Sequence, residues 1–200
     1  MTTLADIRTR TRTDIHDTDP ASQRWTDAEL DRHIAHALSD LSLAIPRELT
    51  ATIATTPGSR ELSVAPLSGL LEVEHVEHPA GLFPPCRVRF TRWGDTLLLE
   101  TATAPDGSGA VISYVAGHTL DGTGSTLPAQ FEDLLVMGAT AYAALEQPAA
   151  VIDRLNTGGA AVPGDYADWA RARLTAFGQL LRQRARANRV RARSLISPAF

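Results

Sequence analysis

His33 and His36 stand three residues apart in a helical stretch, a spacing that can bring two imidazoles onto one metal ion. No HExxH motif or third ligand accompanies them, so an ordinary helix surface or a subunit contact is the expectation. His75 and His78 lie an odd number of residues apart in strand-forming sequence, which would turn them to opposite faces. His16-Asp17-Thr18-Asp19 collects donors for a cation but lacks the glycine and terminal glutamate of an EF-hand loop, and reads as an Asx-type turn. Cys86 could act as a nucleophile only beside a base and a group that stabilises its thiolate. It sits between Pro84-Pro85 and an alternating strand, where a structural role is expected. Gly122-Thr123-Gly124-Ser125 and Thr157-Gly158-Gly159 lack the strand–helix framing of phosphate loops, and no G-x-S-x-G elbow occurs.

All 19 basic residues are arginine. The absence of lysine excludes a P-loop lysine, a Schiff base and a pyridoxal site. The expectation is a non-enzymatic chain without cofactor or metal. Arginine is unevenly spread. Residues 171–200 contain Arg171, Arg173, Arg182, Arg184, Arg186, Arg189, Arg191 and Arg193 and no carboxylate side chain. Residues 1–170 hold eleven arginines against all 23 carboxylates, a formal charge of −12 within a total of −4. Such a basic end on an acidic body has three readings: a solvated helix terminus, a dock for an acidic protein surface, or a nucleic-acid contact. No aromatic residue interleaves the arginines, and the acidic body opposes a bound duplex, so the protein dock is preferred. The last residues, Leu195, Ile196 and Phe200 among them, are apolar for an exposed end and suit a partner's grooves.

The elements that would position these groups follow from periodicity. Two hundred residues suit one domain, or one with an insertion, and bury roughly 70% of the unfolded surface without disulfides. One cysteine, a polar start and no run of ~18 apolar residues predict a soluble, intracellular chain that spans no membrane. A first helix is expected from Thr2 or Thr3, with Asp6 in its first turn and Leu4, Ile7, Thr11 and Ile15 near one face. Thr26 and Glu29 form a capping box, and Trp25 with Leu30 a hydrophobic staple, at the start of a second helix that Pro46 stops. Five or six short strands follow, with turns at Pro57-Gly58-Ser59, Gly94-Asp95 and Pro105-Asp106-Gly107, and with Leu71 and Val73 on one side. An alanine-rich buried helix is expected from Phe131 to Leu145, then a possible short helix at Ala149–Leu155 and a glycine-rich loop to Gly164. The final helix is expected to cap at Asp165. Its apolar face is Tyr166, Trp169, Ala170, Leu174, Phe177 and Leu181, beyond which it outruns its own support. The fold class is α+β: a four-helix-type bundle (1–48 and 127–200) with a small antiparallel β unit (49–126) inserted between the second and third main helices.

Arg24-Trp25-Thr26-Asp27-Ala28-Glu29-Leu30 running into His33-Ile34-Ala35-His36-Ala37 resembles the opening of phage head–tail connector (adaptor, or head-completion) proteins. Leu127-Pro128-Ala129-Gln130-Phe131-Glu132-Asp133-Leu134-Leu135 before an alanine-rich helix, and the terminal arginine-rich helix, are similar to the same family. Relatives often carry asparagine where this chain has Ala35 or His36. The resemblance implies a homo-oligomeric ring, commonly of about twelve copies, under the portal of a DNA-filled head. It implies as partners the portal protein and a stopper or tail-completion protein, with genomic DNA passing through the lumen without specific binding and no membrane contact. It places the chain in the virion, at the head–tail junction, after synthesis in the host cytoplasm. Portal docking would fall to Arg182, Arg184, Arg186, Arg189, Arg191, Arg193, Leu195, Ile196 and Phe200. The alternative is a small nucleic-acid-binding protein that uses the arginine-rich helix.

Overall fold

The computed structural model describes residues 2–146 and 163–189. The chain divides into two compact units, Met1–Ile45 with His118–Phe200, and Pro46–Gly117. The fold is α+β.

Four α-helices are described in the first unit: α1 (Leu4–Asp14), α2 (Asp27–Ala44), α3 (Glu132–Leu145) and α4 (Pro163–Arg189). Both early helices begin in capping boxes. Thr3 Oγ1 accepts from the Asp6 amide at 3.3 Å while Asp6 accepts from the Thr3 amide at 2.8 Å, and Thr26 and Glu29 repeat the exchange at 3.3 and 2.7 Å. Each box satisfies amides that the first helical turn leaves without partners. The Trp25–Leu30 staple is buried, in one cluster with Ile15 and Ala143. α3 touches each of the other three helices. That position explains its composition: Ala139, Ala141 and Ala143 are wholly buried, and small side chains let neighbours close in on several sides.

The second unit is built from β1 (Arg47–Ala54), β2 (Glu61–Ser63), β3 (Leu70–Glu77), β4 (Arg87–Val88), β5 (Phe90–Trp93), β6 (Thr96–Leu99) and β7 (Gly109–Ala116). They form two antiparallel sheets, in the orders β1-β7-β3-β4 and β2-β6-β5. Buried Leu62, Leu97, Leu99, Val76, Ile112 and Tyr114 join both sheets in one core. Gly58 and Gly94 turn the chain with positive φ, at 78° and 56°, where a side chain would strain the backbone.

Several local expectations are corrected. β3 does not alternate simply: register shifts between Leu70 and Glu72 and between Val73 and His75 turn Leu71 outward and let Val73 and Val76 both bury. The stretch Cys86–Trp93 is not one strand, because the chain leaves one sheet after Val88 and joins the other at Phe90. The final helix begins at Pro163, ahead of Asp165, as suits proline in a first turn. Ala149–Leu155 and Thr157–Val162 lie outside the described residues.

Helices approach closely at Gly138 of α3. A Cβ there would lie 2.7 Å from Phe177 Cζ of α4 and 3.0 Å from Ala37 Cβ of α2. Phe177 is 1% exposed and cannot swing away. Overpacking costs about 1–3 kcal/mol, against about 1 kcal/mol gained by alanine in a helix, so Gly138→Ala should destabilise by about 1 kcal/mol. Gly178→Ala in α4, where nothing lies within 4 Å, should instead stabilise by up to about 1 kcal/mol. Urea denaturation of the two variants tests the opposite signs.

Candidate partner interface

α4 changes character along its length. Ala170 and Phe177 are buried, Leu174 is half-buried, and Leu181 is the last buried side chain of the helix among the described residues. Arg182, Gln183, Arg184 and Arg186 are exposed. Arg189 is the final residue of the helix; Arg191, Arg193, Leu195, Ile196 and Phe200 lie outside the described residues.

Elsewhere among the described residues of this unit arginine is matched to carboxylate, except at the exposed Arg24. Arg8 bonds Asp27 and Asp31, each at 2.7 Å, and Arg10 bonds Glu132 at 3.0 Å and also Asp133. Arg32 pairs with Glu146, Arg171 with Asp168 at 2.7 Å, and Arg173 with Asp14. The Arg173 guanidinium also lies 5.3 Å from the Trp169 ring centroid, a cation–π position. Arg182, Arg184 and Arg186 have no carboxylate partner among the described residues. The contrast has a simple cause: the last carboxylate in the sequence is Asp168, and a helix rising 1.5 Å per residue carries these arginines away from it.

The same unit holds a buried ion pair that spacing did not reveal. Arg12 donates to Asp17 at 2.5 Å, to the Trp25 carbonyl at 2.9 Å and to Asp27 at 2.8 Å. Asp17 is 3% exposed and also accepts from the Arg24 amide at 2.6 Å. The His16–Ser22 loop is therefore more than a turn. Asp19 does close an Asx-type turn, accepting from the Ala21 amide at 3.0 Å, but Asp17 reaches inward and ties the loop to α1.

His33 is a second correction. It is buried, edge-on to Trp25 at 5.5 Å between centroids, and not on the helix surface. His36 is exposed and stacks on Tyr142 at 4.0 Å. Burial and a hydrogen bond to Asp40 push the Tyr142 hydroxyl up to about 12, so it remains a donor at neutral pH. His78 lies just past β3 with Nε2 3.1 Å from Ser108 Oγ. Cys86 is exposed. In the Gly122–Ser125 turn the Thr123 and Gly124 amides donate to Asp121 at 2.7 and 3.1 Å, so they are not offered to a phosphate. No cluster of three or more metal-ligating side chains occurs among the described residues, and none of their helices is long and apolar enough to cross a membrane. A groove of about 400 Å³ between α1, α3 and α4 is lined by Arg10, Asp14, Asp133 and Arg173, whose charges are already paired.

The profile of the SU10 adaptor protein family matches residues 2–195. The chain belongs to that family. It is a phage head–tail adaptor, a structural virion protein and not an enzyme. No curated protein matches the chain. Solved structures similar to it include two of gene transfer agent particles. One is a virion of a native gene transfer agent particle, at 17% identity over 87% of each chain with a TM-score of 0.30. The other is the neck of an empty gene transfer agent particle computed with C6 symmetry, at 16% identity over 77% of this chain and 80% of that one, with a TM-score of 0.29. At such scores neither likeness bears on the fold, and the assignment rests on the family match.

Two tests follow from the adaptor's buried polar groups. Asp17→Ala leaves Arg12 buried without its main counter-charge and should cost about 3 kcal/mol in urea denaturation. Burial lowers the His33 pKa from 6.5, with the nearby Glu146 carboxylate, 3.4 Å from Nε2, opposing the shift. The unfolded chain therefore takes up a proton that the folded one resists. Stability linked to His33 is complete above the unfolded value near 6.5 and is lost as pH falls towards the lowered folded value. His33→Phe should flatten the fall in stability between pH 7 and pH 5, read from denaturation midpoints across that range.

Proposed function

We propose that this adaptor assembles as a ring that joins the portal to the stopper or tail-completion protein and forms part of the DNA conduit. In this reading the β unit is an insertion in a helical connector domain, and the α4 end makes the portal contact. The carrying observation is the run Arg182, Arg184 and Arg186, exposed and without a carboxylate partner among the described residues, on a unit whose other arginines are largely ion-paired. An acidic partner surface would supply the missing counter-charges, and the docked arginines gain strength as water is excluded. Arg189, Arg191 and Arg193 extend the same chemistry, and Leu195, Ile196 and Phe200 supply apolar anchors for grooves on the portal. The net −12 of residues 1–170 suits a conduit wall, because it repels the phosphate backbone and lets DNA slide.

Truncation after Leu181 tests this directly. The last buried side chain of α4 is kept, so the shortened chain should retain its circular dichroism and unfold cooperatively. It should lose co-sedimentation with portal rings. Unchanged co-sedimentation would remove the portal assignment from this segment. Replacing Arg182, Arg184 and Arg186 together with glutamine should weaken portal binding in a salt-dependent manner without altering stability. A steep, salt-dependent shift of duplex DNA by the intact chain, lost on truncation, would favour nucleic-acid binding instead.

A further inference from the structure

His118 is held at its amide and at both ring nitrogens. The amide donates to the Oγ of the buried Ser42 at 2.9 Å, which fixes the backbone against α2. The half-buried ring then has Nε2 2.8 Å from the Ile45 carbonyl oxygen and Nδ1 3.1 Å from that of Thr126. A carbonyl oxygen accepts and cannot donate, and a neutral imidazole carries a single N–H. The neutral ring therefore satisfies one contact and sets a bare nitrogen lone pair against an oxygen in the other. An imidazolium donates to both. The Thr126 hydroxyl could donate to Nδ1 instead, but it lies 3.5 Å away, at the limit of a hydrogen bond. It is also 3.4 Å from the Thr119 carbonyl, which competes for its proton.

The place of the ring is a second, independent reason. Ile45 caps the C-terminus of α2, where the helix dipole leaves partial negative charge, and the last turn of α2 has no basic residue. A cationic His118 on the Ile45 carbonyl supplies from the returning chain what α2 lacks. The charged side chains that neighbour these contacts along the sequence are Asp40, Arg47, Glu48 and Asp121, three carboxylates to one arginine, and they do not oppose a cation. Asp40 accepts from the Tyr142 hydroxyl, and Asp121 from the Thr123 and Gly124 amides. We propose that the folded adaptor holds His118 as an imidazolium at neutral pH, a proton-dependent latch between the two passages of the chain at the edge of the helical unit. One passage is Ile45, where the chain leaves the unit, and the other is Thr126, on the segment that returns to it. The latch also secures α1, because the Leu4 amide donates to the Asp121 carbonyl of the same returning segment at 2.9 Å.

A proton held more firmly by the folded chain than by the unfolded one gives stability that is complete below the unfolded midpoint of about 6.5. That stability is lost as pH rises and the folded ring releases its proton, the reverse of the sign at His33. Heteronuclear NMR of the six histidine rings in the full-length chain reads the state directly. At pH 7 both nitrogens of His118 should carry protons, and a bare nitrogen on that ring overturns the latch. His118→Gln donates but never titrates. Its denaturation midpoint should fall below that of the unaltered chain at pH 6, and the gap should narrow as pH rises to 9. A gap that stays constant over this range overturns the proton dependence, and no gap at any pH overturns the contact itself. Where His118→Gln does not fold, amide exchange in the unaltered chain takes its place. The Thr119 amide donates to Thr126 Oγ1 and the Thr126 amide to the Thr119 carbonyl. Their protection, corrected for the intrinsic rate, should fall between pH 7 and pH 9, and constant protection overturns the latch.

Discussion

Gly138 has no side chain, and for that reason Phe177 of α4 can rest against α3 while Ala37 of α2 closes from another side. The helical unit depends on this contact. It holds the first half of α4 against its neighbours, so that the helix axis is settled before the apolar face ends at Leu181. Arg182, Arg184 and Arg186, exposed past that residue, are positioned by packing in which they take no part. A docking helix needs such an arrangement, because a terminus without a fixed origin would lose more conformational entropy on meeting a partner.

Charge is organised around the same division. α1, α2 and α3 exchange arginines and carboxylates, so that Arg8, Arg10 and Arg12 are each held by two carboxylates. Exposed pairs of this kind contribute little stability each. Within the helical unit the consequence is contrast: most arginines there are committed to carboxylates, while Arg182, Arg184 and Arg186 have none among the described residues. The Arg12–Asp17 pair is different in kind. Both side chains are buried, and the pair anchors the loop that delivers Trp25 and the Thr26 cap to the start of α2.

The β unit distributes its apolar residues by the same physical rule and leaves two of them outside. Ile112, Leu97 and Leu99 are buried because alternate residues of β6 and of the first part of β7 turn to the core. Phe83 lies outside any strand, in a proline-flanked loop, and Trp93 ends β5 on that sheet's outer side beside a tight turn. Their exposure reflects where the turns place them.

Local signals were legible without coordinates. The Thr26–Glu29 capping box and the Trp25–Leu30 staple involve neighbours within a few residues, so their chemistry is complete in the sequence, and the family resemblance rests in part on the same stretch; at the first helix the sequence offered Thr2 or Thr3, and the structure places the capping box at Thr3. The uneven distribution of arginine is likewise a property of order along the chain. Tertiary structure alone decided that His33 is buried, that Asp17 faces Arg12, that β3 carries two register shifts and that Phe83 is bare. Each of these depends on what a distant element or a fold-dependent register brings to a residue, and residue type and spacing contain neither.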